Sequence, residues 1–162
     1  MSDDSPPNTR HTVIPRTMCF IVHEEEILFL KASQEKDWSG KYNLIGGHIE
    51  QDEDIIASAN REILEETGLN VTDTKLAGIV HVNNFFNKNI LMFVTFSHAT
   101  SKQVINNHEG TLEWIHKDDV TNLNTFADVK PIFDQVLAHP NQVFSATSKF
   151  NDTGDLIQLV IR

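Results

Sequence analysis

The stretch that most constrains how this chain folds is residues 46–69, GGHIEQDEDIIASANREILEETGL. It begins with paired glycines and ends near Gly68, a residue type suited to the left-handed position that terminates a helix. Between them, apolar residues recur at helical spacing: Ile55, Ile56, Ala59, Ile63 and Leu64. This spacing predicts a helix over 54–67 with one face packed against a core.

Three glutamates, Glu62, Glu65 and Glu66, crowd the carboxyl end of this predicted helix. Like charges one turn apart destabilise a helix by about 0.2–0.5 kcal/mol per pair, and the helix dipole favours cations at this end. One interpretation is a solvated acidic face. The other is a bound Mg²⁺, which prefers oxygen ligands and is held by a few carboxylates together with substrate phosphates. Paired glycines upstream favour the second, because they let a backbone carbonyl approach a cation closely.

Length and charge narrow the class of protein. A chain of 162 residues is long enough for one domain with a real core. Its net charge of -10 argues against a surface that binds duplex nucleic acid, and an anionic partner would need local lysines or a bound cation. The single cysteine, Cys19, excludes an internal disulfide and lies in an apolar run, which predicts a buried thiol in a reducing compartment. Neither a membrane-spanning run nor a signal peptide is recognisable, so we expect a cytoplasmic protein with no membrane partner.

The order of the predicted elements indicates an α/β fold. Residues 1–16 hold three of the five prolines and read as a flexible tail, followed by a single domain over 17–162. We predict strands at 17–22, 27–32, 43–47, 75–83 and 89–99, a short strand within 108–120, a terminal hairpin over 142–161, and helices at 54–67 and within 127–140. The second helix has apolar residues at helical spacing: Ile132, Phe133, Val136 and Leu137. Strands and helices in this order predict a mixed sheet packed between helices.

A known signature matches the central stretch. Gly47 is followed after five residues by Glu53 and, after seven more, by the run REILEETGL of residues 61–69. This spacing resembles the signature of the Nudix hydrolase family, and every defining position matches. The resemblance implies an α/β/α sandwich that hydrolyses a nucleoside diphosphate linked to another group, using Mg²⁺, for which Mn²⁺ can substitute.

The resemblance also implies roles for individual residues. It implies that a glycine carbonyl and three carboxylates bind the metal: Gly46, Glu62, Glu65 and Glu66. One of these glutamates, or a water that it holds, would act as the base. Glu53 would orient the site, and Arg61 would be its salt-bridge partner.

Segments outside the signature resemble the MutT-like branch, which removes oxidised purine nucleoside triphosphates. In KYNLIGGHIE, Asn43 occupies the place of an asparagine that helps to read the base, although an asparagine in a turn is the simpler interpretation. In HEGTLEWI, Glu109 occupies the place of a loop glutamate that approaches the metal, and it reads equally well as a solvated loop residue. The expected substrate is therefore a nucleoside triphosphate such as 8-oxo-dGTP, converted to the monophosphate and pyrophosphate.

Other candidate contacts carry weaker signals. Asp128 lies near the position from which relatives contact the purine edge. Lys31 either contacts a phosphate of the substrate or is an ordinary solvated lysine. Four phenylalanines belong either to the core or to a base-stacking surface: Phe85, Phe86, Phe93 and Phe96. The alternative functions are hydrolysis of ADP-ribose, a nucleotide sugar or an ordinary dNTP, or nucleotide sensing without catalysis. The proline that ADP-ribose enzymes usually carry after the signature is absent. Monomer and homodimer both stay open.

Overall fold

A computed structural model of the protein describes residues 11–34, 38–106 and 108–162. Within these residues, eight strands form one mixed sheet. The strands are β1 (Ile14–His23), β2 (Glu26–Ala32), β3 (Tyr42–Asn43), β4 (Val71–Phe85), β5 (Lys88–Ala99), β6 (Gly110–His116), β7 (Phe144–Phe150) and β8 (Leu156–Ile161). The helices are α1 (Ile55–Thr67), a 3₁₀ helix (Lys117–Asn122) and α2 (Val129–Ala138).

The sheet order is β3-β2-β1-β5-β4-β7-β8, and β6 pairs with β2. The β1–β5 and β4–β7 pairs are parallel, whereas the hairpins β1–β2, β4–β5 and β7–β8 are antiparallel. In the middle of the sheet, the parallel strands β1 and β5 begin side by side. Their register runs from Ile14 opposite Ile90 to Val22 opposite His98. The predicted mixed sheet is thus confirmed.

The core consists of two layers, one on each face of the sheet. Successive side chains of a strand point to opposite faces. On β1, Cys19 and Ile21 pack with Ala59 and Ile63 of α1. The intervening Phe20 belongs to the other cluster, which contains the buried residues of α2: Val129, Ile132, Phe133 and Val136. The predicted α/β/α arrangement and the burial of Cys19 are confirmed, and burial raises the pKa of the Cys19 thiol to about 11.

Two details of the sequence interpretation are wrong. Strand β1 begins at Ile14, so residues 14–16 belong to the sheet and not to a tail. The apolar side chains of Leu64 and Leu137 lie outside the core, 53% and 42% exposed, because each helix buries a narrower face than its apolar stripe suggests. The first ten residues of the predicted tail lie outside the described residues. No helix of the described segments is long and apolar enough to cross a membrane.

Helix α1 is bounded by Asp54 at its amino end and by Gly68, the terminating residue that the sequence predicts, at its carboxyl end. The Asp54 carboxylate accepts hydrogen bonds from the amides of Ile56 and Ala57 at 2.8 and 2.9 Å. Gly68 has a φ of 73°, and its amide donates to the Leu64 carbonyl at 2.9 Å. These two caps determine which residues form the last turn, where the three glutamates lie.

Replacing Asp54 with alanine is expected to lower the free energy of unfolding by about 1 kcal/mol, since two amides of the first turn lose their acceptor. Urea denaturation followed by circular dichroism measures the change. Gln51→Ala, in the exposed turn before the helix, is the control. Equal stability of Asp54→Ala and wild type would contradict a capping role.

Candidate active site

A cavity of about 560 Å³ opens between the glycine turn, α1, the starts of β1 and β5, the end of β4 and α2. Its two ends differ in chemistry. One end is acidic and is formed by the glycine turn and α1, whereas the other is lined by aromatic and aliphatic side chains. Such a volume lies within the range of small-molecule sites, about 300–1,000 Å³.

The acidic end brings together three of the predicted carboxylates. Glu62 and Glu66 of α1 and Glu109 of the loop before β6 all line the cavity. The pKa of Glu66 is raised to about 8, mainly by burial and also by the charges of Glu109 and Glu62, whereas a hydrogen bond from the Gly46 backbone opposes the rise. Carboxylates placed so close together need compensating positive charge.

The paired glycines allow this end of the cavity to form. Gly46 has a φ of 149°, and a Cβ on it would overlap the Thr17 carbonyl of β1. A Cβ on Gly47 would instead overlap the carboxylate of Glu62. Hydrogen bonds join the turn to β1, from the Thr17 amide to the Gly47 carbonyl at 2.8 Å and from the Gly47 amide to Thr17 Oγ1 at 3.3 Å. The glycine turn therefore lies directly against both β1 and the Glu62 side chain.

Arg61 connects the acidic residues around this end. Its Nε and Nη2 donate to the two carboxylate oxygens of Glu53 at 2.8 and 3.0 Å. Its Nη1 donates to Glu62 at 2.8 Å and to Glu65 at 3.1 Å, and Nη2 also reaches the His48 carbonyl at 3.0 Å. The hydrogen bonds from Arg61 lower the pKa of Glu53 to about 2. The ion pair expected between Arg61 and Glu53 is present and ties α1 to the glycine turn.

Two predicted site residues lie away from the cavity. Glu65 does not line it, because its side chain is 59% exposed and pairs with Arg61. Lys31 does not line it either, and its phosphate contact stays a prediction. The neighbouring Leu30 faces the cavity, which directs Lys31 to the opposite side of β2. There its Nζ lies 5.5 Å from the centroid of the Tyr42 ring.

The other end of the cavity contains both predicted base contacts. Asn43 lines it, and its Oδ1 accepts a hydrogen bond from the Leu44 amide at 2.9 Å. Asp128, at the start of α2, is only 6% exposed, and burial raises the pKa of its carboxyl to about 6. Aromatic side chains surround these polar groups: Trp38, Phe85, Phe86, Phe126 and Phe150.

The Phe85 ring packs edge-to-face against three other rings at this end, at centroid distances of 4.7, 5.1 and 5.0 Å. Phe86 is 44% exposed at the tip of the β4–β5 hairpin. Phe93 and Phe96, the other two phenylalanines considered from the sequence, do not line the cavity. Of the four phenylalanines considered from the sequence, the 85–86 pair is therefore the one placed for contact with a ligand.

Two basic residues of the cavity were missed by sequence reasoning. Arg16 of β1 and Lys88 of β5 both line it. Arg16 falls in residues interpreted as a tail, and Lys88 falls in a predicted turn. Neither position carries a local sequence signal, since β-sheet pairing alone brings them to the cavity.

The acidic end fits a divalent cation in two respects. Because Gly47 has no Cβ, the Glu62 carboxylate can lie against the glycine turn. In addition, Glu62, Glu66 and Glu109 supply the oxygen ligands that hard divalent cations prefer. Over the described ranges, no three acidic, histidine or cysteine side chains are arranged to hold a metal by themselves.

Comparisons with known proteins agree with this geometry. Residues 13–136 match the model of the NUDIX domain family. The MutT protein of Bacillus halodurans is similar in structure, with a TM-score of 0.82 and 27% identity over 92% of this chain and 97% of that one. The MutT protein of Methanosarcina mazei Go1 has a TM-score of 0.69 and 21% identity over 80% and 96% of the two chains.

A further similar structure is the NUDIX domain of Shewanella oneidensis NrtR complexed with ADP ribose. Its TM-score is 0.68 at 15% identity, over 85% of this chain and 95% of that one, so the likeness is one of fold. The match to the family model covers well over half of the chain and includes the glycine turn, α1 and the cavity residues up to Ile132. The chain therefore belongs to the NUDIX domain family and is a pyrophosphohydrolase of MutT-like type.

Proposed function

We propose that the chain hydrolyses a nucleoside triphosphate, with 8-oxo-dGTP as the leading example, to the monophosphate and pyrophosphate in a Mg²⁺-dependent reaction. The observation that carries this proposal is the continuity of the cavity. It joins an acidic end formed by Glu62 and Glu66 to an aromatic end containing Asn43 and Asp128. A nucleotide also has two different ends: its phosphates need a cation, and its base is aromatic.

The residues of the acidic end would hold the cation and the phosphates. Glu62 and Glu66 would be its principal ligands, with the Gly46 carbonyl beside them and Glu109 approaching from the loop. Arg61 and Glu53 would act as positioning residues, because their ion pair connects the glycine turn to α1 and also contacts Glu62. Glu65 would take part only through Arg61 unless its side chain moves.

When bound, a divalent cation neutralises phosphate oxygens and lowers the pKa of a water for attack on phosphorus. Family members generally use such cations, and Mg²⁺, for which Mn²⁺ can substitute, is the ion that we propose. The protein supplies the base, and Glu62 and Glu66, the two α1 carboxylates that line the acidic end, are the candidates for it. The aromatic walls keep the base of the nucleotide away from bulk water.

The aromatic end would bind the base. The exposed Phe86 and the partly buried Phe85 offer ring surfaces for stacking. Asn43 and Asp128 place an amide and a carboxyl group inside the same space, which suits the donor and acceptor pattern of a purine edge. An oxidised purine differs from guanine in this hydrogen-bonding pattern, so these two residues are the candidates for distinguishing it.

ADP-ribose is the second candidate substrate, because the NrtR domain of similar fold was solved with that ligand. The absence of any proline between Pro15 and Pro131 argues against it, since enzymes that act on ADP-ribose usually carry a proline after the signature. Nucleotide sugars and ordinary dNTPs are further alternatives. A non-catalytic sensor is disfavoured because all three signature glutamates are retained.

A substrate screen tests the proposal. We expect pyrophosphate release from 8-oxo-dGTP in the presence of Mg²⁺, at a higher kcat/KM than from dGTP, and no activity in EDTA. ADP-ribose at the same concentration, assayed for AMP release, is the comparison. A preference for ADP-ribose would overturn the substrate assignment, and tight nucleotide binding without turnover would support the sensor instead.

A further inference from the structure

Arg16 is an unusual residue of the cavity. It is partly buried in β1, and its side chain lines the cavity. Among the described residues, its guanidinium makes no hydrogen bond and no ion pair. Arginine carries five donors and is always charged, so a partly buried guanidinium is normally paired with a carboxylate or with a ligand.

The location of Arg16 is between the two ends of the cavity. Its backbone forms a bridge with His48 of the glycine turn, next to Gly47 and hence to the Glu62 carboxylate. On its other side, Arg16 is paired in register with Met92 of β5, which lines the apolar part of the cavity. Met18, two residues along the same face of β1, also lines it. Arg16 thus stands where the acidic end meets the apolar end.

The charge around Arg16 makes its lack of a partner informative. The cavity lining includes five acidic residues: Glu50, Glu62, Glu66, Glu109 and Asp128. Arg61 takes part in ion pairs with three glutamates, whereas Arg16 takes part in none with the residues that the structure describes. A guanidinium left available inside an acidic cavity can bind an oxyanion brought by the ligand. A phosphate group matches its planar fork with two parallel hydrogen bonds.

We propose that Arg16 binds directly to a phosphate of the substrate, the one nearest to the nucleoside, and so determines where the phosphate chain enters the acidic end. This inference rests on the proposed function. Arg16 would neutralise the phosphate that lies where the acidic end meets the apolar end.

Steady-state kinetics with the nucleotide that is hydrolysed fastest test this role. In Arg16→Gln, KM is expected to rise about 10- to 100-fold, the range for loss of a charge-assisted hydrogen bond. Arg16→Lys should lie between this variant and wild type, because a lysine keeps the charge but not the bidentate geometry. Lys149→Gln, which removes one positive charge from an exposed position of β7 outside the cavity, is the matched control and should behave as wild type.

Equilibrium titration in EDTA gives a readout that does not depend on turnover. The nucleoside monophosphate product should bind wild type more tightly than the corresponding nucleoside, and Arg16→Gln should abolish this difference. Thermal unfolding checks that each variant is folded, and Arg16→Lys carries the test should Arg16→Gln prove unstable. Wild-type kinetics and monophosphate affinity in Arg16→Gln would overturn this inference alone. No hydrolysis of any nucleotide by the wild-type protein would overturn the proposed function as well.

Discussion

Glu62→Gln and Glu66→Gln are each expected to lower kcat for pyrophosphate release by about 100-fold or more, because both carboxylates line the acidic end. Loss of a residue that only supports a metal ligand already lowers metal affinity or activity about 10- to 100-fold. The change removes a charge but almost no volume. Glu66 lies beside two other carboxylates, so its neutral amide relieves repulsion, and the thermal unfolding midpoint should stay equal or rise. Pyrophosphate release and thermal denaturation of the same preparations measure the two effects.

Comparison with other glutamates sharpens this test. Glu24→Gln, at an exposed turn between β1 and β2, is the control for loss of one negative charge. Glu65→Gln should have a smaller effect than the other two signature variants, because its side chain is exposed and pairs with Arg61. If Glu62→Gln or Glu66→Gln turned over at the wild-type rate, that residue would have no place in the metal site.

Substitution of the adjacent glycines by alanine is expected to separate stability from activity. In Gly46→Ala, the new methyl group would overlap the backbone carbonyl of Thr17, at a positive φ that disfavours any side chain. We expect a loss of about 1–3 kcal/mol from the backbone strain alone. In Gly47→Ala, the methyl group would overlap only the carboxylate of Glu62, which can move aside. The unfolding free energy should then change little, whereas kcat/KM should fall about 100-fold because a catalytic carboxylate is displaced.

Urea denaturation and pyrophosphate release, measured on both variants, provide the comparison. Gly40→Ala is a matched control, since Gly40 has a φ of 74° but open space around its missing Cβ. The Gly40→Ala variant therefore measures how much free energy of unfolding is lost when alanine adopts a positive φ without any steric overlap. A Gly47→Ala protein with full activity would mean that the position of Glu62 is not critical, and an equally stable Gly46→Ala would contradict the close packing of the turn on β1.

Features that depend on local spacing were predicted well from the sequence. The end of α1 at Gly68, the terminal hairpin and the burial of Cys19 all agree with the structure. Boundaries failed where tertiary pairing overrides local composition. Residues 14–16 contain a proline and an arginine and have no strand pattern. They are nevertheless part of β1, because they pair in parallel with β5.

The candidate site shows the same division. The glycine turn, Glu62, Glu66 and the Arg61–Glu53 pair lie within one continuous stretch, and helical periodicity brings them together. The sequence could not decide whether Lys31 lines the cavity, because one strand position decides which face a side chain takes and its segment has apolar residues on both faces. Glu65 satisfies the signature in sequence, but in the structure its carboxylate is held by Arg61 outside the cavity.

By itself, the sequence determined where the central helix lies, how its carboxylates are spaced and which two glycines approach them. These features arise within about two dozen residues, where helix geometry relates sequence distance to spatial distance. Only the tertiary structure decided which distant side chains complete the cavity. Arg16, Asn43, Glu109 and Asp128 reach it through the strand register and the packing of α2, which depend on contacts between residues far apart in the chain. The chemistry of the acidic end is therefore encoded locally, whereas the fit to a particular nucleotide is a property of the folded sheet.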